Sequence, residues 1–193
     1  RKLGWKLLNI GLPLEENALA REDELIRQLK EGRRECLDEL VELYYPAILR
    51  YCMWHMPDKE SAQDATQETF LKLVRFIDRY SHKGQFKAFL YKIAANTCID
   101  ILRRNTSPEL SLDAFPNQLF PSDSFTEHGF EAAENRQQLA AAMSRLEPMQ
   151  REIVLLRYGQ ELSLKEISAI TDLPLRTVQT RLRRALKKLN TFI

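Results

Sequence analysis

The chain has 193 residues, of which 44% are hydrophobic and 29% charged, a composition typical of soluble globular domains. Its 29 Lys and Arg residues nearly balance 27 Asp and Glu residues, which excludes a uniformly basic protein, so any nucleic-acid surface must be local. No apolar run approaches the roughly 20 residues that span a bilayer, and the three cysteines are too widely spaced for a disulfide framework. We therefore expect a cytoplasmic protein without membrane insertion.

Helical periodicity dominates, and no alternating strand pattern persists, so we predict an all-α fold. Residues 1–20 form an extension without an assigned role, and residues 21–105 are predicted to form a first helical domain. Within it, Asp58 or Ser61 is the predicted N-cap of a helix that runs to about Tyr80, and another helix covers about Gln85–Arg104. The residues of the first of these helices predicted to face the core are Ala65, Phe70, Val74 and Ile77.

The same helix carries a second stripe of side chains on another face, which we call the docking stripe. Its members are acidic or amide-bearing, with one leucine, and recur at helical spacing: Asp64, Gln67, Glu68 and Leu71. Such a stripe suits a basic helical partner that docks side by side. An ordinary solvated face fits the stripe equally well when it is taken alone.

The following helix alternates aromatic and basic side chains. The aromatic residues are Phe86, Phe89 and Tyr91, and the basic ones are Lys83, Lys87, Lys92, Arg103 and Arg104. Basic groups hold a nucleic-acid backbone, and aromatic faces stack on unpaired bases. Aromatic residues at helical spacing also commonly form a core, so the pattern alone leaves both interpretations open.

Residues 106–130 are predicted to form an acidic linker. They contain Pro108, Pro116 and Pro121, four acidic residues and no Lys or Arg. Unlike a plain spacer, the segment also carries several large apolar residues, among them Phe115, Leu119 and Phe120. Either it docks on a partner or it packs on the domains that it joins.

A second helical domain is predicted over residues 131–193, and it ends in a helix-turn-helix. Ser163 and Glu166 match a capping box that starts the first helix of the motif. Asp172 stands at the turn, where Gly is usual, and Asp tolerates the left-handed backbone better than most residues. Pro174 suits the first turn of the next helix. The apolar face of that last helix is predicted to comprise Leu175, Val178, Leu182, Ala185, Leu186 and Leu189.

The last helix concentrates positive charge, because no acidic residue follows Asp172. A solvated charged face would intersperse acids in i,i+4 pairs, so this pattern favours DNA. Arg176, Lys187 and Lys188 are placed to meet phosphates. The side chains predicted to project outward and read base edges are Gln179, Thr180, Arg183 and Arg184.

Three segments in order resemble the extracytoplasmic-function sigma factors of bacterial RNA polymerase. They are DATQETFLKL, then FKAFLYKIAANTCIDILRR, and, after the linker, LEPMQREIVLLRYGQELSLKEISAITDLPLRTVQTRLRRAL. The resemblance covers about Arg21–Leu189. Phe89 stands where the family usually has Trp, and Arg176 stands where it usually has Gly.

The resemblance implies transcription initiation with core RNA polymerase, promoter DNA and an anti-sigma factor as partners. It implies that the docking stripe binds the clamp helices of the largest polymerase subunit. It implies that the first domain captures the minus-ten element as a single strand through Lys83, Phe86, Phe89, Lys92, Asn96 and Arg103. It implies that the second domain reads the minus-thirty-five element through Arg176, Thr177, Gln179, Thr180, Arg181, Arg183, Arg184 and Lys187.

The sequence contains no Gly-rich phosphate loop, no paired nucleophile and base, and no set of metal ligands, so we predict no enzyme activity, metal or cofactor. The alternative function is a helix-turn-helix regulator that binds duplex DNA without polymerase, which would leave the docking stripe without a use. A protein adaptor is a third class, and the acid-free basic helix argues against it.

The linker composition generates a first prediction. Replacing residues 109–125 by Gly and Ser at equal length should leave core-polymerase binding intact, because the docking stripe is unchanged. Open-complex yield or early RNA synthesis should fall, since the acidic and apolar side chains are lost. Run-off transcription measures both. Initiation equal to that of the original chain, with no gain in DNA binding by the free protein, would show that the linker is only a tether.

Overall fold

The computed structural model describes residues 16–81, 84–105 and 139–192. The predicted linker, Lys83, the extension up to residue 15 and the beginning of the second domain up to residue 138 lie outside these residues. All the regular elements in the described part of the chain are helical, which confirms the all-α class.

The first domain, as described, contains four helices and a short 3₁₀ turn. They are α1 (Glu16–Lys30), α2 (Cys36–His55), α3 (Lys59–Phe76), the turn Ile77–Arg79, and α4 (Phe86–Asn105). Helix α3 ends before the predicted Tyr80 because the chain tightens into the 3₁₀ turn, a common way to finish an α-helix. Helix α2 continues through Pro46 as one helix.

The second domain, as described, begins with helical residues 139–144. It continues with α5 (Pro148–Val154), a π-helical turn (Leu155–Gly159), α6 (Leu164–Thr171) and α7 (Leu175–Phe192). Helices α6 and α7 form the predicted helix-turn-helix.

Local capping chemistry fixes where these helices begin and turn. The side chain of Asp58 accepts a hydrogen bond from the Ser61 amide at 2.7 Å, which confirms Asp58 as the N-cap of α3. Both bonds of the capping box are present, from the Glu166 amide to Ser163 Oγ at 3.2 Å and from the Ser163 amide to Glu166 Oε2 at 2.7 Å. Asp172 adopts φ 54°, the left-handed conformation predicted for the turn.

The apolar face of each helix packs inward with two exceptions to the sequence prediction. Ala65, Phe70 and Ile77 are buried, but Val74 is 42% exposed, because it follows Leu71 by three residues on the outward face of α3. Leu175 is 36% exposed, because it lies at the first position of α7, before the buried face that begins at Val178. Both predictions of core packing were wrong.

The cysteines behave as small apolar residues. Cys36, Cys52 and Cys98 are free thiols and all are buried, and the sulfur atoms of Cys52 and Cys98 lie 3.8 Å apart between α2 and α4. In the described part of the chain no helix is both long and apolar enough to cross a membrane.

Glu22 on α1 is a carboxyl group buried in the first domain. It accepts a hydrogen bond from the hydroxyl of Tyr44 on α2, and only 4% of the residue is exposed. Burial, reinforced by the negative charge of Asp23, raises the pKa of Glu22 from 4.5 to about 7. The folded chain therefore holds this proton between pH 4.5 and 7, whereas the unfolded chain releases it.

This buried carboxyl generates a prediction about stability. Because the folded pKa is raised, the free energy of unfolding should fall as pH rises from 4.5 to about 7. Glu22→Gln keeps an acceptor for Tyr44 but does not titrate, so it should gain stability over the original chain, by up to about 3 kcal/mol at pH 8 and little at pH 5. Urea unfolding at both pH values measures the difference. The exposed Glu31→Gln is the control, and an equal gain for Glu22→Gln at both pH values would contradict the assignment.

Candidate nucleic-acid and protein interfaces

The docking stripe lies on the outward face of α3. Asp64, Gln67 and Leu71 are exposed, Leu71 by 55%, and Glu68 is half-buried. The opposite face is held inward, where the hydroxyls of Thr66 and Thr69 donate to backbone carbonyls one turn earlier at 2.7 Å. The exposed apolar surface continues through Val74, so the stripe is a mixed polar and apolar strip available to a partner.

A second surface follows one face of α4. Phe89 and Lys92 are half-buried, Asn96 is exposed and Arg103 is half-buried, and their spacing places them along one side of the helix. The ring of Phe89 stacks on Tyr80 with centroids 4.7 Å apart and an interplanar angle of 24°. The structure thus adds Tyr80 to this aromatic surface. Its place just ahead of the aromatic and basic pattern of α4 was the signal that sequence reasoning missed.

Phe86 does not belong to this surface. It is 0% exposed and makes edge contacts with the rings of Tyr44, at 5.6 Å, and Tyr80, at 5.7 Å. A ring enclosed by other aromatic rings has no face for a base. Its prediction as a minus-ten contact was therefore wrong, and the alternative of a core aromatic holds at this position.

The third surface is the outer face of α7. Arg176, Gln179, Arg183, Arg184 and Lys187 are exposed. Among the described residues, none of these cations forms an ion pair, which leaves their charge available to an anion. Val178, Ala185 and Leu189 on the inner face are fully buried and fix the rotation of the helix.

Four other polar residues of α7 are partly engaged within the domain. Thr177, Thr180 and Arg181 are half-buried, and the hydroxyl of Thr180 donates to the carbonyl of Arg176 at 2.9 Å. Lys188 turns inward and lies 3.1 Å from the Glu147 carboxylate. This ion pair links α7 to the start of α5 and engages the ammonium group for which the sequence predicted a phosphate contact. The basic surface of α7 therefore consists of the other, exposed cations.

The two domains contact each other through buried polar groups. The hydroxyl of Tyr51 on α2 donates to Glu152 on α5 at 2.7 Å, and His55 Nε2 lies 3.2 Å from the same carboxylate. The hydroxyl of Tyr91 on α4 donates to Gln160 at 2.7 Å. Tyr51 and Tyr91 are almost wholly buried, and burial raises the pKa of both phenols above their usual range.

One ion pair joins the edge of this interface. The ammonium group of Lys92 on α4 lies 2.5 Å from the Asp172 carboxylate at the turn of the helix-turn-helix. It also donates to the carbonyl of Ala169 at 3.4 Å. The structure therefore brings a predicted minus-ten residue into contact with the second domain. We call the interdomain contacts of Tyr51, Tyr91 and Lys92 with Glu152, Gln160 and Asp172 the latch.

Comparison with known proteins identifies the family of the chain. Residues 40–107 match the family described as Sigma-70 region 2, and residues 136–189 match Sigma-70, region 4. The chain is 29% identical over 168 residues to the ECF RNA polymerase sigma factor SigW of Bacillus subtilis (strain 168), covering 82% of this chain and 89% of SigW. It is 32% identical over 187 residues to BldN of Streptomyces coelicolor, covering 92% of this chain and 69% of BldN.

Solved structures share the fold. CnrH in complex with the cytosolic domain of CnrY superposes with a TM-score of 0.65 at 20% identity, covering 89% of this chain and 96% of CnrH. The sigma factor RpoE of Bartonella quintana, in complex with the anti-sigma factor NepR, superposes with a TM-score of 0.63 at 19% identity, covering 80% of this chain and 94% of RpoE. The two Sigma-70 regions in order, and the 32% identity to BldN, place the chain in the family of ECF RNA polymerase sigma factors, as a sigma factor that directs transcription from promoters.

Proposed function

We propose that each of the three surfaces binds a different ligand during promoter-specific initiation. The docking stripe of α3 binds the clamp helices of core RNA polymerase. The face of α4 that holds Phe89, Lys92, Asn96 and Arg103, together with Lys83, takes the single-stranded minus-ten element. The outer face of α7 reads the minus-thirty-five element as duplex. The observation that carries this division is that the outer faces of α3 and α7 are largely exposed, and that of α4 is half-buried around the exposed Asn96, while the opposite faces of all three helices are buried.

The chemistry of each surface suits its proposed ligand. A strip of carboxylate, amide and leucine side chains complements a basic amphipathic helix, and charge complementarity there favours correct docking. The stacked pair of Tyr80 and Phe89 offers a π-face beside cations, which is how unpaired bases are held without duplex geometry. On α7, Arg183 and Arg184 suit guanine edges and Gln179 suits adenine.

We further propose that an anti-sigma factor regulates this chain, because the related fold of RpoE was solved in complex with the anti-sigma factor NepR. The phosphoryl-transfer chemistry would belong to the polymerase. The chain would supply binding energy and strand separation without a catalytic residue or a cofactor of its own, and it would act in the cytoplasm beside the polymerase.

The docking stripe generates the experiment that tests this function. The double variant Gln67→Ala, Glu68→Lys should bind core polymerase much more weakly, by tenfold or more, because a reversed charge at a desolvated contact costs more than a lost contact. Affinity for core polymerase and run-off transcription both measure the effect. Circular dichroism should be unchanged, since these side chains face outward.

The matched control is Glu42→Lys, which makes the same charge change at an exposed position of α2 outside the stripe. It should bind like the original chain. Normal core binding by the double variant would overturn the polymerase-docking role and favour a regulator that acts on duplex DNA alone.

The outer face of α7 generates a second experiment, on the holoenzyme. Arg184→Ala should lose discrimination at one or two base pairs of the minus-thirty-five element, by about 1–3 kcal/mol, if its contact is bidentate. Lys187→Ala should weaken matched and scrambled sites about equally and reduce the salt dependence. Binding titrations at two salt concentrations separate the cases. Identical behaviour of the two variants on matched and scrambled sites would show that Arg184 does not read bases.

A further inference from the structure

Two of the buried cysteines form a pair of thiols in contact. Cys52 on α2 and Cys98 on α4 are 46 positions apart in the sequence, yet their sulfur atoms lie 3.8 Å apart. A disulfide joins sulfur atoms at about 2.05 Å, so these two need to approach each other by about 1.8 Å to bond. The wide sequence spacing of the cysteines did not predict this pair, because the packing of α2 against α4 brings the sulfur atoms together.

The two thiols of the pair are not equivalent. The Cys98 thiol donates a hydrogen bond to the sulfur of Cys52. This hydrogen bond lowers the pKa of Cys52 in spite of its burial, and the same bond, together with burial, raises the pKa of Cys98. Cys52 is therefore the sulfur that more readily becomes a thiolate, which is the nucleophilic form. A nucleophilic sulfur beside a second thiol that can resolve its oxidation product is typical of redox-active cysteines.

The third cysteine lacks this arrangement. Cys36 lies in the first turn of α2, and its thiol donates to Gln28 Oε1 at 3.1 Å rather than to another sulfur. Cys36 is 6% exposed, whereas Cys52 is 0% and Cys98 2% exposed, so an oxidant that consumes the pair first cannot be selecting by exposure. Packing accounts for the burial of all three cysteines, but the contact between two thiols adds chemistry that Cys36 does not have.

We propose that Cys52 and Cys98 form a peroxide-reactive dithiol site, at which a small hydroperoxide converts the pair into a reversible disulfide that ties α2 to α4. The site is independent of the proposed function, because it lies in the core of the first domain rather than on the surfaces assigned to ligands. Its burial restricts the oxidant to a molecule small enough to enter during local opening of that core. In a reducing compartment such a disulfide is transient.

The reaction balances with hydrogen peroxide as the oxidant. The Cys52 sulfur attacks one peroxide oxygen, so that an S–O bond forms, the O–O bond breaks, and the departing hydroxide takes the Cys52 proton to become water. The Cys98 sulfur then attacks the sulfur of the resulting sulfenic acid, the S–O bond breaks, and the second hydroxide takes the Cys98 proton. Two thiols are oxidised to one disulfide, and both peroxide oxygens are reduced to water. A dithiol reductant reverses the change by thiol–disulfide exchange.

Oxidation of the full chain with hydrogen peroxide tests the site. When the treated chain is unfolded and its free thiols are counted, the number should fall from three to one, and peptide mapping should find Cys52 joined to Cys98. Dithiothreitol should restore all three thiols. The bond closes a long loop in the unfolded chain, so the oxidised chain should unfold at a higher urea concentration than the reduced chain. Loss of the Cys36 thiol before the pair, or a lower urea midpoint after oxidation, would overturn the proposal.

Serine variants assign the roles of the two sulfur atoms. Cys98→Ser keeps a hydroxyl that can donate to Cys52 but cannot resolve its sulfenic acid, so dimedone, which traps sulfenic acids, should label Cys52 and no disulfide should form. Cys52→Ser removes the attacking sulfur and should abolish both products. Cys36→Ser is the matched control, and it should form the disulfide like the original chain.

The variants also define what contradicts the site. Formation of an intramolecular disulfide by Cys52→Ser or Cys98→Ser would show that Cys36 takes part and would overturn the pairing. Dimedone labelling of Cys98 in Cys52→Ser that equals the labelling of Cys52 in Cys98→Ser would overturn the assignment of Cys52 as the attacking sulfur. Circular dichroism checks that each variant folds. Mapping of the disulfide in the original chain decides the pairing even where a variant does not fold.

Discussion

The hydroxyl of Tyr51 donates a hydrogen bond to the Glu152 carboxyl group across the boundary between the two domains, and the packing of the described helices of one domain on those of the other depends on this buried contact. Tyr51 packs edge-on against Tyr91 with centroids 5.4 Å apart, and it lies beside His55. These aromatic side chains connect the core of the first domain to polar groups of the second. A carboxyl group at this depth is tolerated because a hydroxyl and an imidazole lie against it, and removal of the Tyr51 hydroxyl would leave one buried oxygen without its hydrogen-bond donor.

The nearly neutral chain places negative and positive charge on separate surfaces. Acidic and amide groups line the outer face of α3, and the outer face of α7 carries cations that form no ion pair with the described residues, so each surface keeps the sign that its proposed partner requires. Cations with structural roles are neutralised locally, as Lys72 is by Asp100 and Lys188 by Glu147. The separation of structural from exposed charge would allow the protein to attract DNA with one helix, as proposed, without being basic overall.

Features set by neighbouring residues could be predicted from the sequence. The capping box, the left-handed turn at Asp172 and the N-cap at Asp58 depend on contacts within a few residues, and the structure confirms all three. The rotation of amphipathic helices was also predictable, because helical spacing fixes which positions share a face. The docking stripe and the basic face of α7 are outward for this reason.

Burial and contacts that depend on packing between helices distant in the sequence could not be predicted in this way. Phe86 and Phe89 share the aromatic pattern of α4, but only the packing of α2 and Tyr80 decides that Phe86 is enclosed. Val74 and Leu175 are apolar positions that no neighbouring helix covers, so spacing alone misplaced them in the core. The latch joins residues more than 60 positions apart, and no local pattern predicts that Tyr51 meets Glu152 or that Lys92 meets Asp172.

The buried cysteines allow local unfolding of the first domain to be measured by the rate of a chemical reaction. All three thiols belong to the first domain, and the sulfur atoms of Cys52 and Cys98 lie in the core between the helices that carry Tyr51 and Tyr91. A thiol reagent in water reaches them only during excursions in which that core opens, so its reaction rate reports local unfolding rather than the average structure. Because the second domain contains no cysteine, the rate is specific to the first domain. The rate of thiol modification would therefore show whether contact with the second domain slows the local unfolding of the first domain.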